Sequence, residues 1–102
     1  MFLHIGADVE IPLRNIIAIC DMDSSTLSKG TREFLKVSEE EGFVKYIGHD
    51  IPKTFIITEN NGISTVYLTS ISSVTLSKRA NYLREVKNFV TVKKQHKETT
   101  QK

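Results

Sequence analysis

The tripeptide Asn60-Asn61-Gly62 constrains the fold of this chain more than any other stretch. Asn-Gly supplies the positive φ angles that a tight two-residue hairpin turn needs. It sits between residues 55–58 and 63–68, two runs rich in β-branched and aromatic side chains. A hairpin here commits the chain to a sheet, and everything else must pack on it or extend it.

Further strands follow from short apolar runs. Phe43-Val44-Lys45-Tyr46-Ile47 reads as one, and residues 53–58 form the first arm of the hairpin, with Gly48-His49-Asp50-Ile51-Pro52 as the loop between. The opening Phe2-Leu3-His4-Ile5-Gly6 and the stretch Val9-Glu10-Ile11-Pro12 alternate as two short strands broken at Gly6-Ala7-Asp8, and Pro12 forces a stop or an edge. Asn15-Ile16-Ile17-Ala18-Ile19-Cys20 is rich in β-branched residues and too short for a stable helix. Such a run predicts a strand buried on both faces, at the centre of the sheet.

Two segments carry helical spacing. From the candidate caps Asp23-Ser24-Ser25-Thr26 to Glu41, Leu27, Phe34 and Leu35 recur at intervals of a helix face. Gly30 weakens the start, so the helix begins firmly near Thr31 or bends there. Gly42 can take the left-handed conformation that ends it, with Phe43 folding back on the last turn. Glu39, Glu40 and Glu41 then form a solvated helix end. A second helix over about residues 73–88 is predicted from Leu76, Ala80 and Leu83 on one stripe. At 100° per residue, Arg79 and Arg84 flank that stripe while Lys78 and Glu85 point away.

The expected fold is therefore α+β: a small mixed or antiparallel sheet of about six short strands with two helices. At 102 residues, one compact domain over residues 1–89 is the natural partition. Residues 90–102, basic and nearly devoid of apolar side chains, are expected to be a disordered tail. No apolar run approaches the ~20 residues a membrane span requires. His4, Asp8 and Glu10 without a basic lead do not resemble a signal peptide, so the protein is expected in the cytoplasm. Cys20, the one cysteine, is expected as a small apolar filler, with no base beside it to make a thiolate.

Charge divides the chain. Residues 1–75 carry a net −4 and residues 76–102 a net +6, although the whole is only +2. A local positive field of this kind attracts phosphate-bearing polymers. Lys78, Arg79, Arg84 and Lys87 on one helix can neutralise several phosphates, giving salt-dependent affinity. The alternative is a solvated helix with a solubilising tail.

Catalytic constellations are not evident. His4, His49 and His96 show no zinc or nucleophile–base spacing. His49-Asp50 reads as an exposed turn, there is no phosphate-binding glycine loop, and Ser72-Ser73 starts a helix. Neither an enzymatic activity nor a cofactor or metal is expected.

Phe2-Leu3-His4-Ile5-Gly6, the run Ile11-Pro12-Leu13-Arg14-Asn15-Ile16-Ile17-Ala18-Ile19 and Leu76-Ser77-Lys78-Arg79-Ala80 together resemble the RemA/RemB family of bacterial extracellular matrix regulators, and its RemB branch more closely. The resemblance covers roughly residues 1–83, in the same order of elements. It implies a LytTR-like sheet and a DNA-binding regulator of biofilm-matrix genes. It also implies ring-shaped homo-oligomers in which many weak basic contacts act together on bent double-stranded DNA.

Within that resemblance Arg14 falls at a basic position that RemA-like proteins use for DNA; its alternative is an edge arginine paired with Asp8 or Glu10. Where RemA-like proteins carry adjacent loop arginines, this chain has only Lys53, with Asp50 opposing it. Arg14, Lys53, Lys78, Arg79 and Arg84 are the expected DNA contacts, made chiefly to the backbone, with specificity from DNA shape. The competing expectation is an oligomeric scaffold that binds protein instead.

Overall fold

A computed structural model describes the backbone of residues 1–100 and the side chains of residues 1–86. The backbone of α3 runs through the expected domain limit at residue 89 to Thr100, beyond the helix end expected near residue 88; the side chains of the expected tail at residues 90–102 lie outside those described. In chain order the elements are β1 (Phe2–Gly6), β2 (Val9–Pro12), a 3-10 turn (Leu13–Asn15), β3 (Ile16–Asp21), α1 (Met22–Ser25), α2 (Lys29–Glu40), β4 (Val44–Ile47), β5 (Thr54–Asn60), β6 (Ile63–Thr69) and α3 (Ser73–Thr100). The fold is α+β, as expected. No helix among the described residues is long and apolar enough to cross a membrane.

The Asn-Gly hairpin forms as its sequence requires. β5 and β6 pair antiparallel, Asn60 opposite Ile63, and Asn61 and Gly62 take φ of +52° and +80°. β3 joins β5 antiparallel on one side, and β4 joins β6 parallel on the other, giving the order β3-β5-β6-β4. β1 and β2 form a separate antiparallel pair, turning at Ala7 and Asp8 in the left-handed region.

The four-stranded sheet is the middle of three layers. One face carries the β1–β2 pair, the 3-10 turn and α3, whose Leu3, Ile5, Ile11, Leu13, Leu76 and Ala80 close over Ile56. The other face gathers Phe55, Val66 and Leu68 under Met22 and Leu35 of the α1–α2 segment. Two threonines tie the layers at one end of the sheet. Thr69 Oγ1 donates to the Ile5 carbonyl at 2.7 Å, and Thr54 Oγ1 donates to the Ile71 carbonyl at 2.7 Å.

Two expectations need correction. β3 is an edge strand rather than the centre, and β5 takes the centre with Thr54, Phe55, Ile56 and Thr58 buried. An uninterrupted apolar run reports only that both faces are covered. Ile19 indeed packs toward α3 and Cys20 toward α2, but the periodicity says nothing about hydrogen-bonding neighbours. Ile17 sits at a register shift between Ile16 and Ala18 and stays 60% exposed.

The first helix is also broken in two. Asp21 caps α1, accepting from the Ser24 N–H and hydroxyl at 2.9 Å each. The chain leaves helix around residues 26–28, and Leu27, counted on the predicted stripe, is 81% exposed in the gap. α2 ends as predicted: Gly42 adopts φ +79°, its N–H donates to the Glu39 carbonyl, and the Phe43 N–H donates to that of Ser38 at 2.9 Å.

Candidate nucleic-acid interface

The strand registers fix where each basic residue stands. Arg14 lies in the 3-10 turn just ahead of β3, exposed, at the end where Ile16 faces Thr58. Lys53 stands at the opposite end. Its N–H donates to the Thr69 carbonyl at 2.8 Å, and its carbonyl accepts from the Met22 N–H at 2.9 Å. These two bonds pin the backbone and leave the ammonium exposed. At ~3.3 Å per residue, the length of β3 separates Arg14 from Lys53 by roughly 20 Å within one chain.

α3 begins beside Ile71, at the Lys53 end, and runs over the sheet toward the Arg14 end. Its buried stripe is Leu76 and Ala80, continued by half-buried Leu83. Arg79 flanks the stripe on the β1 side, where its Nη1 donates to the His4 carbonyl at 3.4 Å. Arg84 flanks it on the β3 side, lining a groove of about 290 Å3 with Ile16, Ile17, Ala18 and Ile19. Lys78 and Glu85 point to solvent. The helical spacing thus placed all four correctly.

Arg14 therefore stands ahead of β3, Arg84 beside the Ile16–Ile19 stretch of that strand, Arg79 exposed where α3 meets β1, and Lys53 apart. The alternative pairing of Arg14 with Asp8 or Glu10 does not form. Among the described residues the single ion pair is Lys29–Glu33 at 4.0 Å, on the far layer. The arginines of the α3 layer keep their charge available to an external anion.

Other chemistry is sparse. Among the described residues no three His, Cys, Asp or Glu side chains gather as metal ligands. His49 and Asp50 sit exposed in the loop before Lys53. Burial pushes the Cys20 thiol up, outweighing the Ser25 hydroxyl that would lower it, so the thiolate is disfavoured. Burial first, then the Glu39 carboxylate that accepts its hydroxyl at 3.2 Å, raises Tyr46.

One feature escaped the sequence reading. A groove of about 510 Å3 opens between α2 and the sheet, lined by Phe34, Val37, Phe43, Ile57 and Val66 among others. Phe34 and Val37 belong to an apolar face that α2 does not fully bury. Periodicity announces such a face but not how closely the helix approaches the sheet.

Comparison with known proteins follows the same boundaries. The RemA-like family, described as extracellular matrix regulatory protein A-like, matches residues 2–80. That span includes Arg14, Lys53, Lys78 and Arg79 and stops short of Arg84. The chain is also similar to extracellular matrix regulatory protein B of Bacillus subtilis (strain 168), 31% identical over 86 residues that cover 84% of this chain and 98% of that protein.

Proposed function

The chain belongs to the RemA-like family of extracellular matrix regulatory proteins, and from that membership we propose that it binds double-stranded DNA as a ring-shaped homo-oligomer and so regulates biofilm-matrix genes. The observation that carries this reading is that Arg14 ahead of β3 and Arg84 alongside it are both exposed and neither is held by a carboxylate. Arg79 and Lys78 extend the positive surface along α3. Guanidinium groups with no internal carboxylate suit phosphate, which they can grip with two parallel N–H donors.

Two or three phosphate contacts per chain bind DNA feebly at physiological salt. A ring repeats them, and each bound subunit raises the effective concentration of the next. Lys53 adds a contact at the other end of the strand, opposed by Asp50. Backbone contacts carry no base sequence, so discrimination comes from the cost of bending particular DNA. Such a regulator works in the cytoplasm, and its regulatory family points away from catalysis.

An oligomeric protein-binding scaffold is the second reading, favoured by the apolar groove beneath α2. Titration of a fluorescent duplex at two salt concentrations, with light scattering for mass, separates the two. The DNA reading expects an oligomer whose affinity falls steeply with salt. An oligomer with no salt-sensitive affinity for DNA contradicts it and favours the scaffold.

A further inference from the structure

The four-stranded sheet has two open edges, and they differ in kind. β3 presents Ile16-Ile17-Ala18-Ile19-Cys20 with no charge before Asp21, and its outer side pairs with no described strand. Natural proteins blunt exposed edges with charges, prolines or a covering element, because unpaired N–H and C=O groups template association. From Ile16 to Cys20 β3 carries neither charge nor proline, only the irregularity at Ile17, and α3 leaves Ile17 exposed beside the groove that runs down this edge. β4 is the other edge, Val44-Lys45-Tyr46-Ile47, also paired on one side only.

Direction makes the two edges complementary. β3 and β6 both run antiparallel to β5, and β4 runs parallel to β6, so β3 and β4 point the same way. A second copy turned about an axis along the strands can therefore lay its β4 parallel to β3 of the first. Like ends then meet. Ahead of β3 stands Arg14; ahead of β4 stand Glu39, Glu40 and Glu41 at the end of α2, all exposed. An unpaired cation on one edge faces an acidic cluster on the other.

We propose that copies of this chain join head to tail by pairing β3 of one with β4 of the next, with Arg14 set against Glu40 and Glu41 across the seam. This deepens the ring reading above and rests on it. The contact is heterologous, using two different surfaces, and heterologous contacts close into rings when the rotation permits. The sheet becomes continuous from copy to copy and the apolar edge is covered. Arg14 has five N–H donors, enough to hold a neighbour's carboxylate and still offer donors to a phosphate.

Mass measured by light scattering at low ionic strength tests the seam. Arg14→Glu in one chain, and Glu40→Arg with Glu41→Arg in another, each set like charges across it. Each is expected to lower the mass toward the 11.6 kDa of one chain. All three changes in a single chain are expected to restore the wild-type mass, because every seam then regains opposite charges. Ile17→Lys charges the β3 edge itself and is expected to dissociate the oligomer without restoration by the glutamate changes. A wild-type oligomer whose mass none of these variants alters overturns the β3–β4 seam and leaves the ring. A wild-type monomer overturns both, and an oligomer that fails to bind DNA leaves the seam standing while removing the proposed function.

Discussion

Leu76 and Thr69 carry different kinds of stability. Leu76 is fully buried where α3 meets the β1–β2 pair and the sheet. Leu76→Ala removes its methyl groups and leaves a cavity, costing about 2–5 kcal/mol, read as a lowered urea midpoint. Thr69 is almost as buried, and its hydroxyl supplies the Ile5 carbonyl. Thr69→Val keeps the shape and strands that carbonyl, so a loss of about 1–3 kcal/mol is expected in the same measurement. Asp21 adds a pH dependence. The Ser24 N–H and hydroxyl hold its carboxyl below the ordinary 3.8. A carboxyl lowered in the folded state contributes stability that is present above its unfolded pKa and is lost as pH falls through the folded one. Asp21→Asn should flatten the acid limb of a stability profile below about pH 4 and leave its slope near neutrality unchanged.

The hairpin and the two cores behave as elements in the way their sequences read. Gly62 must hold φ +80°, so Gly62→Ala is expected to cost about 1–2 kcal/mol in chemical unfolding while Asn61 keeps the turn. Legibility failed where an element's fate depends on neighbours distant in sequence. Residues 16–20 read correctly as a strand, but they are half-buried rather than buried on both faces and Ile17 is exposed, and an apolar run does not separate edge from centre. The break between α1 and α2 was equally hidden. Leu27 has the spacing of a buried helical residue, but Asp21 caps a short first helix and the chain restarts at Lys29 with Leu27 in solvent. Gly42, Asn61 and Gly62 were legible because a required φ leaves few alternatives. Helical placement of Arg79 and Arg84 about the Leu76–Ala80 stripe was legible for a similar reason, since one angle per residue fixes it.

At the scale of the molecule, α3 bears Arg79 and Arg84, Arg14 stands ahead of β3, and α2 ends in Glu39, Glu40 and Glu41. The five basic residues expected to bind DNA do not form one patch within a chain; the length of β3 divides Lys53 from Arg14. Sequence order could not show this, because it required the antiparallel register of β3 on β5. The account makes Arg14 and Arg84 the main phosphate contacts, so the salt dependence of DNA affinity tests it most directly. Each phosphate neutralised contributes about −0.9 to the slope of log affinity against log salt concentration. With oligomer mass checked alongside, replacing Arg84 by Ala should make the slope shallower by about 1 for each subunit engaged, and Lys53→Ala should change it less. A slope that is unchanged by Arg84→Ala, or wild-type affinity that does not vary with salt, would contradict the account.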